Sequence, residues 1–307
     1  MNPLFHGLLP ALVCPFDEDG AIDERSFVRQ LERVAATEGV TALVVNGHAG
    51  EVTSLTREER KAVVELAVGA ADLPIVSGIA VETPQEAVLH GNDAQEAGAS
   101  ALLVLPPHVW LIGMDPGAPV AFFDTLASGV DVPLIAFQYP AAWGNAHYDE
   151  QTLLDITAID GVDAVKNASW EVSAYEDEYH LIKRERPGTA VLCANDEHLL
   201  PSYVIGADGS LVGFASIATE LIATMLQATW KQDLETAREA NDRLYPLTRA
   251  FYKAAPRARM HSRIKHGLHL LGALTTDVVR QPLLPLDATE HERVERALFD
   301  SGLLTRR

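Results

Sequence analysis

Val162-Asp163-Ala164-Val165-Lys166-Asn167 is a short, apolar run in which one position in two carries the reading. As a β-strand it alternates faces, so Ala164 and Lys166 share one side while Val165 takes the other. If Val165 packs outward against helices, Lys166 points into whatever the strand encloses. A lysine there is costly while charged, which favours the neutral amine that attacks carbonyl carbon. The plainer reading is a rim lysine with its ammonium in water, and spacing alone does not separate the two.

Seven more such runs flank it: Leu8–Val13, Thr41–Asn46, Pro74–Ala80, Ala101–Leu105, Pro133–Gln138, Ala190–Ala194 and Ser210–Phe214. Between them lie longer amphipathic stretches with helix-start chemistry. Thr83-Pro84-Gln85-Glu86 and Thr56-Arg57-Glu58-Glu59 each supply a capping hydroxyl and a glutamate placed to reach back to the cap. Phe27, Leu31, Val34 and Ala35 fall on one helical face. Eight strands alternating with helices predict an α/β chain closed as a (β/α)8 TIM barrel. An open doubly wound sheet would carry a glycine-rich phosphate turn after its first strand, but that turn reads Cys14-Pro15-Phe16-Asp17.

After Phe214 the strand signal stops. Ile217–Thr229, Leu234–Tyr252, His261–Leu271 and Glu290–Asp300 read as helices, and Pro282 and Pro285 separate the last two. The expected division is a barrel over residues 1–228 and a C-terminal helical appendage over 229–307.

The chain has 307 residues, 48% of them hydrophobic, enough for a large core. A net charge of −19 argues against a nucleic-acid partner, which requires a basic footprint. No run approaches the roughly 20 apolar residues of a membrane span, and the start has no basic segment before its Pro-interrupted apolar run. Cys14 and Cys193 lie far apart without metal-ligand spacing. These features predict a cytoplasmic protein whose cysteines are not metal ligands.

In a barrel of this kind the working residues lie at the C-terminal strand ends. The candidates are Gly47-His48-Ala49-Gly50-Glu51, Pro106-Pro107-His108, Phe137-Gln138-Tyr139-Pro140, Lys166-Asn167 and Asn195-Asp196. Leu211, on the last strand, is counted among the pocket-lining positions. Asn195-Asp196-Glu197-His198 has metal-binding residue types, but Glu197 and His198 are expected to begin a helix and point away from the mouth.

These segments, in this order and at these separations, resemble the dihydrodipicolinate synthase / N-acetylneuraminate lyase superfamily of Schiff-base barrels. The likeness covers most of the chain. Gly47-His48-Ala49-Gly50-Glu51 stands where the family has GTTGE or a relative, Val165-Lys166-Asn167-Ala168-Ser169 at its lysine motif, and Gly206-Ala207-Asp208-Gly209 at its G-A-x-G turn. The resemblance implies Lys166 as the imine-forming residue, a small 2-oxo acid as substrate, no cofactor, and a homotetramer or dimer.

The departures fall at the site. Where the family places a proton-transferring tyrosine at the end of the fifth strand, this chain has Phe137. Tyr139 or His108 is expected to replace it, though each has an ordinary explanation as a rim-packing residue or an exposed histidine. The family's hydroxyl pair, which binds the oxo acid's carboxylate, is replaced by His48 and Ala49, leaving backbone N–H groups of the Gly47 turn as a carboxylate cradle. The arginine that follows the fifth strand in the diaminopimelate-pathway synthases is absent from Ala141-Ala142-Trp143-Gly144. The resemblance thus implies an atypical lyase of aldolase type, other than that synthase. Trp110 and Trp143 read either as lining an aromatic or otherwise apolar substrate pocket or as packing residues. A dehydratase or deaminase working through the same imine is the alternative, and a non-catalytic 2-oxo-acid-binding barrel a second.

Overall fold

The computed structural model describes residues 2–305; Met1, Arg306 and Arg307, the outermost residues of the two expected segments, lie outside it. Eight parallel strands form one sheet: β1 (Leu8–Pro10), β2 (Leu43–Val45), β3 (Ile75–Ile79), β4 (Ala101–Val104), β5 (Leu134–Gln138), β6 (Val162–Asn167), β7 (Ala190–Cys193) and β8 (Gly209–Val212). Their order, β1-β8-β7-β6-β5-β4-β3-β2, follows the chain around a ring. The seam between β1 and β2 is closed by single bridges, Leu8 to Val40 and Ala11 to Val44, and by Leu12 N–H donating to the Val44 carbonyl at 2.9 Å. The fold is a (β/α)8 TIM barrel with further C-terminal helices.

The crossovers are α1 (Glu24–Ala35), α2 (Arg57–Ala70), α3 (Pro84–Glu96), α4 (Ala118–Gly129), α5 (Glu150–Thr157), α6 (Val172–Glu185), α7 (Leu199–Gly206) and α8 (Thr219–Trp230). Helix α1 buries Phe27, Leu31 and Val34, the stripe expected from its spacing. At α2 the capping box is complete, Thr56 Oγ1 accepting from Glu59 N–H and Glu59 from Thr56 N–H. At α3 it is half made. Thr83 accepts from Glu86 N–H, but the Glu86 carboxylate turns to the threonine hydroxyl at 3.3 Å instead of its N–H.

Beyond the barrel come α9 (Leu234–Phe251), α10 (Met260–Leu270) and α11 (Ala288–Asp300). The expected boundary at 228/229 falls inside α8, which pairs closely with α9. Cys14 and Cys193 are both buried and free. Among the described residues no helix is long and apolar enough to cross a membrane.

The turn after β2 depends on a glycine of the neighbouring strand. A Cβ at Gly78, on β3, would sit 2.0 Å from the Asn46 carbonyl oxygen, so only glycine lets the chain leaving β2 pass this close. Asn46 and Glu51, at either end of that turn, both have left-handed backbone at φ 55° and 53°. Strain of this kind in non-glycine residues persists where the surroundings hold it. Asn46 Nδ2 donates to the Arg60 carbonyl and Ser77 Oγ. Glu51 is held by a buried ion pair with Lys265 of α10 and by the Arg280 N–H at 3.0 Å.

Candidate active site

Strand register places Phe137 beside Lys166, and both side chains project to the inside of the ring. The ammonium stands 3.9 Å from the Phe137 ring centroid, and the lysine is 7% exposed. Their neighbours one residue on, Gln138 and Asn167, point the other way and bond the carboxylate of Glu178 on α6. Alternation along two paired strands thus sends the chemical groups inward and the anchoring groups outward.

Lys166 opens into a cavity of about 70 Å³ at the C-terminal strand ends, several times the roughly 15 Å³ one water requires. Ala11, Ala49, Ala168, Ala194 and Gly213 keep its lower wall small. Phe137, Trp143 and Trp170 form an aromatic side, with Trp143 and Trp170 edge-to-face at 5.5 Å. His48, Asp196, Glu197, Tyr252, Arg257, Met260 and His261 complete the lining.

Burial lowers the pKa of Lys166, partly offset by the charge of Asp196. Asp196 shifts upward for the same reason, with Lys166, the Phe214 N–H and the Tyr252 hydroxyl pulling it back. His48 is pushed down to about 3 by burial and then by Lys166. His261 falls to about 4 through burial, Lys265 and Lys166. Near neutral pH the cavity therefore holds two uncharged imidazoles and one mutually compensating lysine–aspartate pair.

Of the residues singled out from the sequence, Lys166, His48, Ala49, Phe137 and Trp143 meet around this cavity. Tyr139 stands just behind it, its hydroxyl 3.0 Å from His48 Nε2. Three expectations end up elsewhere. His108 is exposed outside the cavity, its ring and backbone N–H bound to Glu82. Trp110 packs on Phe122 and Tyr148, and Leu211 is fully buried on β8; neither lines the cavity. Gly47 supports the turn from below, its carbonyl accepting the Gly50 and Val52 N–H groups. Together with the bond from Glu51 N–H to the His48 carbonyl, this uses three of the turn's donors internally. The N–H groups of His48 and Ala49 have no partner among the described residues.

Glu197 corrects the expectation that it begins a helix facing away. α7 starts at Leu199, and the preceding turn leaves Asp196 and Glu197 facing the cavity. Trp170, Tyr252, Arg257, Met260 and His261 carried no signal in sequence. The last four belong to the C-terminal region, whose approach to the barrel mouth no local pattern encodes. Among the described residues, His266, Asp277 and His291 are close enough to hold a metal, and none of them lines the cavity.

Comparison with known proteins agrees with this geometry. The Dihydrodipicolinate synthetase family profile matches residues 4–300. A protein of Erythrobacter litoralis named 4-hydroxy-tetrahydrodipicolinate synthase is 32% identical over 304 residues, 98% of this chain and 100% of its own. One of the same name from Methanococcoides burtonii is 28% identical over 302 residues, with 98% and 100% covered. Among solved structures, dihydrodipicolinate synthase from Thermotoga maritima superposes with a TM-score of 0.89 at 24% identity, covering 98% of this chain and 100% of that one. YagE, an E. coli K12 prophage protein solved in complex with pyruvate, gives 0.89 at 23% identity with the same coverage. With its barrel, its inward lysine and a profile match over nearly the whole length, the chain belongs to the dihydrodipicolinate synthetase family.

Proposed function

We propose that this chain is a cofactor-independent lyase that binds pyruvate or another 2-oxo acid as a Schiff base on Lys166. The observation that carries the reading is the buried, inward amine beside an aromatic ring, with its pKa lowered by burial. The neutral amine attacks C2 of the oxo acid, and loss of water gives an iminium ion. That cation draws electrons from a bond at C3, so a proton or a carbon fragment can leave and an enamine remains. Run in reverse, the enamine adds to a carbonyl acceptor. The unengaged N–H groups of His48 and Ala49 suit the oxo acid's carboxylate, as donors converging from one turn do.

Phe137 cannot exchange a proton, and the Tyr139–His48 pair is proposed to take that role: His48 faces the cavity and Tyr139 backs it. The acceptor is proposed to differ from the second substrate of the diaminopimelate-pathway synthases, because Ala141-Ala142-Trp143 after β5 carries no cation. A second reading, loss of water from a hydroxylated 2-oxo acid through the same imine, is favoured by Asp196. Its pKa, raised to about 6 by burial, brings it close to the range in which a carboxyl group can pass a proton to a leaving hydroxide.

The test is cyanoborohydride reduction in the presence of pyruvate, followed by intact-mass and peptide mapping. One reduced adduct on Lys166, absent in Lys166→Ala, is expected; an unmodified wild-type protein refutes the proposal. Product analysis on longer 2-oxo acids then divides the readings. Released pyruvate marks the aldolase, a deoxygenated oxo acid marks the dehydratase, and an adduct without turnover marks a binding protein.

A further inference from the structure

Arg257 reaches the cavity from the turn that leads into α10. Its guanidinium carbon lies 3.8 Å from the Trp170 ring centroid, and one terminal nitrogen is 2.5 Å from a Glu197 oxygen. Lys253 approaches the other oxygen of the same carboxylate at 3.8 Å. Two cations thus share one anion, Arg257 from the cavity lining and Lys253 from outside it, so these three groups carry one surplus positive charge in a protein whose net charge is −19. Deeper in, Lys166 and Asp196 offset each other and the two histidines are neutral, so no other described residue of the lining cancels that surplus.

We infer that the mouth of the cavity is a receptor for a carboxylate at the far end of the substrate, with Arg257 binding it against Trp170. The inference rests on the Schiff-base reading and names the substrate class: an oxo acid or its carbonyl partner with a flat or apolar middle and a second, terminal acid. A guanidinium carries five donors in a plane, and the salt bridge to Glu197 engages one end of that fork. Stacking on an indole fixes the plane while leaving its edge open to a bidentate carboxylate. Between Lys166 and Arg257 the wall is Phe137, Trp143 and Trp170, which offers apolar contact and no competing hydrogen-bond donors except the indole N–H groups. In this arrangement a terminal acid is met by Arg257 of the C-terminal region, in a chain whose Ala141-Ala142-Trp143 after β5 carries no cation.

The experiment compares 2-oxoadipate with 2-oxohexanoate, which share a six-carbon chain and differ in the terminal carboxylate. Half-saturation of imine trapping is measured for each with the wild type, Arg257→Met and Arg257→Lys. The wild type is expected to prefer the diacid by about 10–100-fold, the worth of one charge-assisted pair. Arg257→Met should bring the ratio near unity, and Arg257→Lys should leave it between the two, since charge remains and the fork is lost. Calorimetric titration with 2-oxoadipate reads the same site without requiring an imine. Arg257-dependent affinity without any trapped adduct would remove the Schiff-base reading and keep this one. A wild type without preference for the diacid, or a preference that survives in Arg257→Met, overturns the inference.

Discussion

The phenolic oxygen of Tyr139 lies 3.0 Å from Nε2 of His48, tying the end of β5 to the strained turn after β2. Burial raises the tyrosine's pKa and lowers that of the imidazole to about 3, so both groups are neutral and share one hydrogen bond whose direction follows the imidazole tautomer. A proton leaving substrate at His48 thus has a fixed neighbour with which to exchange. Removing the hydroxyl in Tyr139→Phe is expected to lower turnover by about 100-fold, within the range for one proton-transfer group. Adduct trapping should fall much less, because attack by Lys166 does not pass through the phenol. Equal loss in both measurements would make Tyr139 a packing residue.

Asp196 sets a second expectation, concerning pH. Its charge raises the pKa of Lys166 against the larger, downward effect of burial. Replacing it in Asp196→Asn leaves burial unopposed, so the amine should lose its proton at still lower pH. The rate of cyanoborohydride inactivation by pyruvate should therefore rise at lower pH in the variant than in the wild type. A profile that stays in place or moves upward would show that the two groups are not electrostatically linked.

The ion pair between Lys265 and Glu51 has side chains 0% and 1% exposed and joins α10 to the turn that carries His48. Removing one partner from a pair this deep leaves a buried charge without compensation, at a cost of about 3–5 kcal/mol. Lys265→Met should lose that much in denaturant unfolding. The double change Lys265→Met with Glu51→Leu should recover more than half of it, since no isolated charge is left. A mild single variant would mean that water reaches the pair.

The barrel was legible because each strand is short, apolar and followed by a helix with its own start signal. For Lys166, alternation on β6 left two directions open, and the resemblance of Val165-Lys166-Asn167-Ala168-Ser169 to the family's lysine motif chose the inward one. His48 and Ala49 followed from the turn's position after β2. The long-range part was hidden. Arg257 and His261 reach the cavity because α9 and α10 bring their connecting turn back over the barrel, a tertiary arrangement without local pattern. His108 was misplaced for a related reason: its side-chain type and its place near a strand end are local facts, whereas the carboxylate of Glu82 that holds it outside is not. Trp110 carried the same ambiguity that Trp143 did, and only the packing of Phe122 and Tyr148 separates the two.

Glu178 offers the sharpest separation of positioning from chemistry. Its carboxylate accepts from Asn167 Nδ2 at 2.5 Å, Ser169 Oγ at 3.0 Å and Gln138 Nε2 at 3.1 Å, with His147 Nε2 at 3.5 Å. The three hydrogen-bonding partners are donors, so only an acceptor on both oxygens satisfies them. Glu178→Gln keeps the shape but turns one oxygen into a donor, setting N–H against N–H inside the protein. The expected cost is about 1–3 kcal/mol, with a further loss of catalytic rate because Asn167 and Gln138 adjoin Lys166 and Phe137 on paired strands. Burial also raises the pKa of Glu178 above the ordinary 4.5. Between that value and the raised one the folded state keeps a proton the unfolded chain has released, so wild-type stability should decline as pH rises through this window. In Glu178→Gln this decline should be absent. Denaturant unfolding of both proteins across mildly acidic pH would detect it, and parallel curves would mean that Glu178 titrates alike in both states.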